Sequence, residues 1–150
     1  MNSSGYKIFF LLHIVAIVVA FAPAFVWPFV SVRLKKQNKP VGPAIAELAS
    51  GNSAKIHGPA LVLAGLFGFA MIGMSNKLLT FKQTWVSIAM VVWFAMIGVI
   101  FGLMVPNEKK AAAGDADADK KMSMFGGILH LLFFVMLYLM IWKPGAPAGL

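Results

Sequence analysis

The chain has 150 residues, of which 60% are hydrophobic and 12% are charged, and its formal net charge at pH 7 is +8. A mean hydropathy of +0.83 is typical of an integral membrane protein and argues against a water-soluble domain. The basic residues stand just outside apolar stretches, where they meet lipid headgroups, so the lipid bilayer is the expected partner and nucleic acid is not. The absence of cysteine excludes disulfides, thiolate nucleophiles and cysteine-bound metals.

The first predicted span covers residues 8–31, an apolar run with no charged side chain and one histidine, His13. At about 1.5 Å per residue it crosses a hydrocarbon core of about 30 Å, where a histidine is costly unless it binds or pairs with something. Ala16, Ala20 and Ala24 follow His13 at helical spacing and form a face of small side chains. Either a flat cofactor lies on that face with His13 as an axial haem b ligand, or a neighbouring helix does.

Three further spans are predicted over residues 57–75, 84–105 and 124–142, and none of them contains Asp, Glu, Lys or Arg. Small residues recur at helical spacing in the second and third spans, at Ala60, Ala64 and Gly68 and at Ala95, Gly98 and Gly102. Such patterns are typical of close helix packing in membranes. The sequence therefore predicts an all-α protein, a four-helix transmembrane bundle, without the intramembrane charges of a pump or voltage sensor. No catalytic motif is present, and no catalytic residue is predicted.

Two more histidines belong to the predicted bundle. His57 begins the second span, where contact with water makes an imidazole inexpensive, and a structural role is expected there. His130 lies inside the fourth span, one turn after Gly126 and Gly127. This arrangement is compatible with a second cofactor-binding residue or with an interhelical hydrogen bond.

Residues 107–123 are polar, small and balanced in charge, and a flexible loop is predicted for them. Three aspartates imitate the first ligands of a calcium-binding EF-hand loop: Asp115, Asp117 and Asp119. Lys120 stands where that loop requires glycine, and Gly126 stands where it requires a bidentate glutamate. Calcium binding is therefore not expected.

The orientation follows from the basic residues. Nine Lys and Arg residues belong to the first and third loops, against four in the termini and the second loop. The positive-inside rule then predicts that both termini lie on the outer face of the membrane. In this topology His13 and His130 lie more than about 10 Å apart in depth. A haem held by both is not favoured, and one axial histidine, His13 as the metal ligand, is the simpler arrangement.

Three stretches resemble a known family: LLHIVAIVVAFAPAFVWPFV, HGPALVLAGLFG and YLMIWKP. They are similar to small bacterial four-helix membrane proteins that include the membrane protoporphyrinogen oxidase of the HemJ type, copper-resistance-D-like proteins and a further branch without an assigned activity. The resemblance implies haem b at His13 and a multi-pass protein of the bacterial cytoplasmic (inner) membrane. The oxidase also has a lysine in its third helix, where this chain has Ala89.

Several functions remain open from the sequence. The leading hypothesis is an integral membrane protein without catalytic apparatus that binds haem b through His13. The alternative is an accessory subunit of a larger membrane complex, for example a respiratory one, or a homo-oligomer, in which the histidines serve packing. A porphyrinogen-oxidase-like enzyme ranks third, and copper binding by Met122, Met124 and His130 ranks fourth.

The orientation can be tested with single-cysteine variants, since the chain has no native cysteine. A membrane-impermeant thiol reagent applied from outside should label Ser3→Cys and leave Ala112→Cys unlabelled, because the excess of basic residues keeps the third loop inside. Labelling of Ala112→Cys alone would show the reverse topology.

Overall fold

The computed structural model describes residues 3–37 and 49–146, and these residues form four long helices without any strand. Helix α1 covers Ser4–Lys36. Helix α2 covers Ser53–Gly73 and begins with a π-helical turn, Ser53–His57. Helix α3 covers Thr84–Ala112, with a π-helical segment at Val99–Met104, and helix α4 covers Ala116–Trp142.

Each of the four helices is long and apolar enough to cross a membrane. The prediction of an all-α protein with four candidate spans is therefore confirmed for the described residues. Helix α1 is longer than the predicted span 8–31 at both ends, and α2 begins four residues before His57 and ends at Gly73. These helices continue into polar sequence because backbone hydrogen bonding does not stop where the apolar run stops.

The prediction of a flexible loop over residues 107–123 is wrong. Helix α3 continues to Ala112, and α4 begins at Ala116, so the connection is a short turn with Gly114 at φ +93°. Alanine is the best helix former, and a carboxylate caps the new helix. Oδ1 of Asp115 accepts hydrogen bonds from the backbone N–H groups of Asp117 at 2.9 Å and Ala118 at 3.1 Å.

Helices that follow one another in the chain pack against each other. Helix α1 packs along α2, the apolar part of α3 packs between α2 and α4, and the core lies between these helices. Its buried members include Phe21, Leu61, Trp85, Met96 and Ile100. Helices α1 and α4 meet through aromatic rings, with the centroids of Phe21 and Phe133 4.5 Å apart.

The two π-helical segments pack against each other at one end of the bundle. A Cβ atom added to Gly58 would overlap the ring of Phe101, so glycine is required for this close approach. In α3 the widened turns come directly before Pro106, which lacks the N–H that the carbonyl of Gly102 would bind in a regular α-helix.

The beginning of α2 is capped by a side chain from α3. The Glu108 side chain is 4% exposed, and its Oε1 accepts a hydrogen bond from Oγ of Ser53 at 3.3 Å. The backbone N–H groups of Gly51 and Ser53 also donate to this carboxylate. The first N–H groups of a helix have no partner within the helix and carry partial positive charge, so a carboxylate stabilises them. Glu108 thus joins the last turns of α3 to the beginning of α2.

Replacement of this carboxylate should destabilise the fold. Glu108→Ala leaves buried N–H donors without an acceptor, and we expect a loss of about 1–3 kcal/mol in unfolding free energy. Lys109→Ala, an exposed neighbour, should change it by less than about 0.5 kcal/mol. Thermal unfolding of both purified variants in the same detergent measures the difference, and equal stabilities would contradict the capping role.

Candidate functional site

His13 lies at the interface between α1 and α2. Its Nδ1 is 2.6 Å from the carbonyl oxygen of Ala64, and since a carbonyl only accepts, Nδ1 carries the proton and donates. A Cβ atom on Gly68 would lie 3.6 Å from Cε1 and 3.7 Å from Nδ1 of this ring. These are ordinary van der Waals distances, so Gly68 lies next to the imidazole without being required by it.

This bond determines which ring nitrogen of His13 is available. With the proton on Nδ1, the neutral ring has its lone pair on Nε2, which points away from the Ala64 carbonyl. Metal-binding histidines are commonly oriented in this way, with Nδ1–H on a backbone carbonyl. The donor chemistry of His13 therefore fits an axial ligand on its Nε2 side.

The small-residue face beside His13 is closed by α2. Ala16 and Ala20 are 7% and 8% exposed, and the α2 residues Ala60 and Ala64 are buried as well. The side chain of Ala24, the third member of the predicted face, lies outside the described residues. A flat cofactor does not fit between α1 and α2 at Ala16 and Ala20, because another helix already packs there.

His57 makes the reciprocal bond, from α2 to α1. Its Nδ1 is 3.3 Å from the carbonyl oxygen of Val19. In an α-helix that carbonyl would accept from residue 23, but Pro23 has no N–H. The imidazole therefore supplies the donor that the proline removes. An unsatisfied carbonyl would be especially costly in hydrocarbon, because no water is available there. The sequence analysis did not find this role of His57. The available signal was a proline in the first span together with a histidine at the start of the second.

Trp93 of α3 binds α2 in a similar way and was also missed. Its Nε1–H donates to the carbonyl oxygen of Leu61 at 2.9 Å, and a Cβ atom on Gly65 would overlap its indole ring. Leu61 and Ala64 are each followed four residues later by a glycine. At Gly65 the missing side chain gives the indole N–H access to the carbonyl of Leu61.

His130 lies on the other side of the bundle. Its Nδ1 is 2.8 Å from the carbonyl oxygen of Gly126 in its own helix, and its ring meets Phe25 edge-on at 5.6 Å. Phe25 is about 18 Å further along α1 than His13, at about 1.5 Å per residue. The structure therefore does not bring His13 and His130 together. Met122, about 12 Å along α4 from His130, does not join it in a copper site either.

An apolar groove lies between α1 and α4, about 180 Å³ in volume. Its lining is apolar throughout: Ile17, Val18, Phe21, Ala22, Phe25 and Phe133. Sites that enclose a small organic ligand usually measure about 300–1,000 Å³. The groove is thus smaller than a haem requires, and we name it the α1–α4 groove.

Within the described residues, no group of three or more His, Asp or Glu side chains could hold a metal ion together. The fold and these contacts define a class of protein: an all-helical chain with four candidate membrane spans, whose histidines bond to backbone carbonyls. The chain matches no family model, and it has no significant match among curated proteins or solved structures.

Proposed function

We propose that this chain is a non-catalytic accessory subunit of the bacterial cytoplasmic membrane, with both termini on the outer face. Its partner helix would dock on the glycine face of α3, formed by Ala95, Gly98 and Gly102. A Cβ atom added to either glycine meets nothing within 4 Å, and Ala95 is exposed. This open face is the observation that supports the proposal.

The contrast with α2 shows why the open face matters. In α2 the glycines at 65 and 68 contact Trp93 and His13, whereas Gly98 and Gly102 have no such use within the bundle. Small residues give no advantage against lipid, since lipid tails are as apolar as leucine, but they permit close approach of another helix. Val91 and Phe94 flank the face, 69% and 62% exposed, and a docked helix would cover them.

Porphyrinogen oxidation receives no support from this arrangement. Ala89, which stands where the oxidase has a lysine, is a buried methyl group in the core. The Nδ1 atoms of the three histidines are each engaged with a backbone carbonyl.

The glycine face can be tested by substitution and cross-linking in native membranes. Gly98→Leu should lower the mass of the detergent-solubilised assembly to that of the single chain, because a leucine blocks close helix approach. Gly127→Leu is the matched control, since a Cβ atom there also meets nothing within 4 Å. Light scattering of the purified species measures the mass.

Oxidative cross-linking of Ala95→Cys distinguishes the two kinds of partner. A disulfide-linked dimer indicates a second copy, and an adduct with a cysteine-containing chain indicates a different subunit. A chain that is monomeric in its native membrane, or an assembly unchanged by Gly98→Leu, would contradict the proposal.

A second candidate function is haem b binding, which rests on the family resemblance and on one observation, the Nδ1–H bond of His13. Where a haem is bound, the iron supplies redox or ligand-binding chemistry, and His13 would hold it through Nε2. The cofactor would have to lie beside the His13 ring and outside the contact between α1 and α2, because Ala16 and Ala20 are covered. Such a position also suits an interface with another chain.

His13→Ala separates the two candidates. If His13 binds haem, the substitution should abolish the Soret absorption of protein expressed with added haem, while His57→Ala should retain it. If His13 serves packing alone, the protein should be colourless and the substitution should cost about 0.6–2 kcal/mol, the range for interhelical polar contacts. Colour lost in His130→Ala and retained in His13→Ala would place the haem on α4.

A further inference from the structure

The α1–α4 groove lies at the middle of α1. Its α1 lining runs from Ile17 to Phe25, and α1 itself covers Ser4–Lys36. Beside the groove, α1 and α4 meet through the rings of Phe21, Phe25 and Phe133. An opening of this kind at membrane depth, without any polar lining, suits a hydrocarbon chain from the bilayer.

Basic residues continue the face that lines the groove. Phe29 is four residues after Phe25 and Lys36 is eleven residues after it, so all three lie on one side of α1. Arg33 lies beside this side of the helix. Phe29 is 78% exposed, and both basic side chains are exposed. Lys36 is about 16 Å along the helix from Phe25, close to half of a hydrocarbon core of about 30 Å. An acyl chain beginning at Lys36 would thus reach the groove.

Charges on α4 do not cancel this basic pair. His130 of α4 lies beside Phe25 of α1. Lys36 is eleven residues after Phe25, and α4 runs in the opposite direction, so the α4 residues at the level of Lys36 lie about eleven positions before His130. These are Asp119 and Lys120, whose charges offset each other. Asp117 is paired with Lys121 at 2.7 Å. At the opposite end of the same face, eleven residues before Val18, α1 has a single exposed cation, Lys7.

We propose that the chain binds one anionic phospholipid, with part of an acyl chain in the open α1–α4 groove and the headgroup at Arg33 and Lys36. This site is independent of the glycine face of α3 and of His13, so it does not depend on either function proposed above. Its physical basis is apolar burial in the groove and attraction between two cations and a phosphate. The lipid would fill the space between α1 and α4 beside the ring contacts of Phe21 and Phe25 with Phe133.

The test uses the full-length chain, delipidated in mild detergent and titrated with phosphatidylglycerol or phosphatidylcholine, with native mass spectrometry as the measurement. We expect one phosphatidylglycerol to be retained per chain and phosphatidylcholine to be lost. Removal of both cations, Arg33→Gln with Lys36→Gln, should weaken binding by about 25-fold, at about fivefold per charge. Lys7→Gln, at the other end of the same face, should leave it unchanged.

Filling the groove gives an independent measurement. Ala22→Phe places a ring into the groove from an exposed position, and it should abolish phosphatidylglycerol retention while the helical content is preserved. Val18→Phe provides a second filling variant from another exposed lining position. Three results would each overturn the proposal. They are equal retention of the two lipids, unchanged lipid binding in a folded filling variant, and a greater loss of binding in Lys7→Gln than in the double variant.

Discussion

Backbone carbonyls inside hydrocarbon need donors from the protein, and this requirement explains the contact between α1 and α2. Pro23 leaves the Val19 carbonyl without its helical partner, and His57 of α2 donates to it. His13 of α1 donates in turn to Ala64 of α2. Two imidazoles thus cross the same interface in opposite directions. Each satisfies its own N–H group, which would otherwise be costly in the membrane.

The small residues of this chain serve two different purposes. On α2 they bring helices and donors close to the backbone, since Gly65 lies under Trp93 and Gly68 under His13. On α3 the same residue type faces open space, as it does at Gly98. The energetic gain of a small residue comes from what approaches it, so an inward and an outward glycine have different meanings. The outward face is what makes an accessory subunit the better-supported proposal.

The described turn between α3 and α4 is more regular than its polar composition indicates. Glu108 caps α2, and Asp115 caps α4 through two backbone N–H groups. Buried Ala111 and Ala118 pack beside this turn with Met122. Helix ends in such a region need acceptors for their free N–H groups, and acidic side chains from neighbouring elements supply them. The acidic residues that resemble calcium ligands therefore have a structural use.

The sequence by itself determined the four candidate spans and the all-α class, because hydrophobic length is a local property that can be read along the chain. It also identified His13 as a polar group that needs a partner inside a span. It did not identify that partner, since Ala64 is 51 residues away and any helical carbonyl looks alike in sequence. The same limit applies to Pro23 with His57, to Glu108 with Ser53, and to Trp93 with Leu61. The helical structure of residues 116–123 depends on local signals, the alanines and the Asp115 cap, which the sequence analysis did not use. The inward or outward direction of each glycine face was decided by tertiary packing, which brings donors, acceptors and small surfaces from distant positions together.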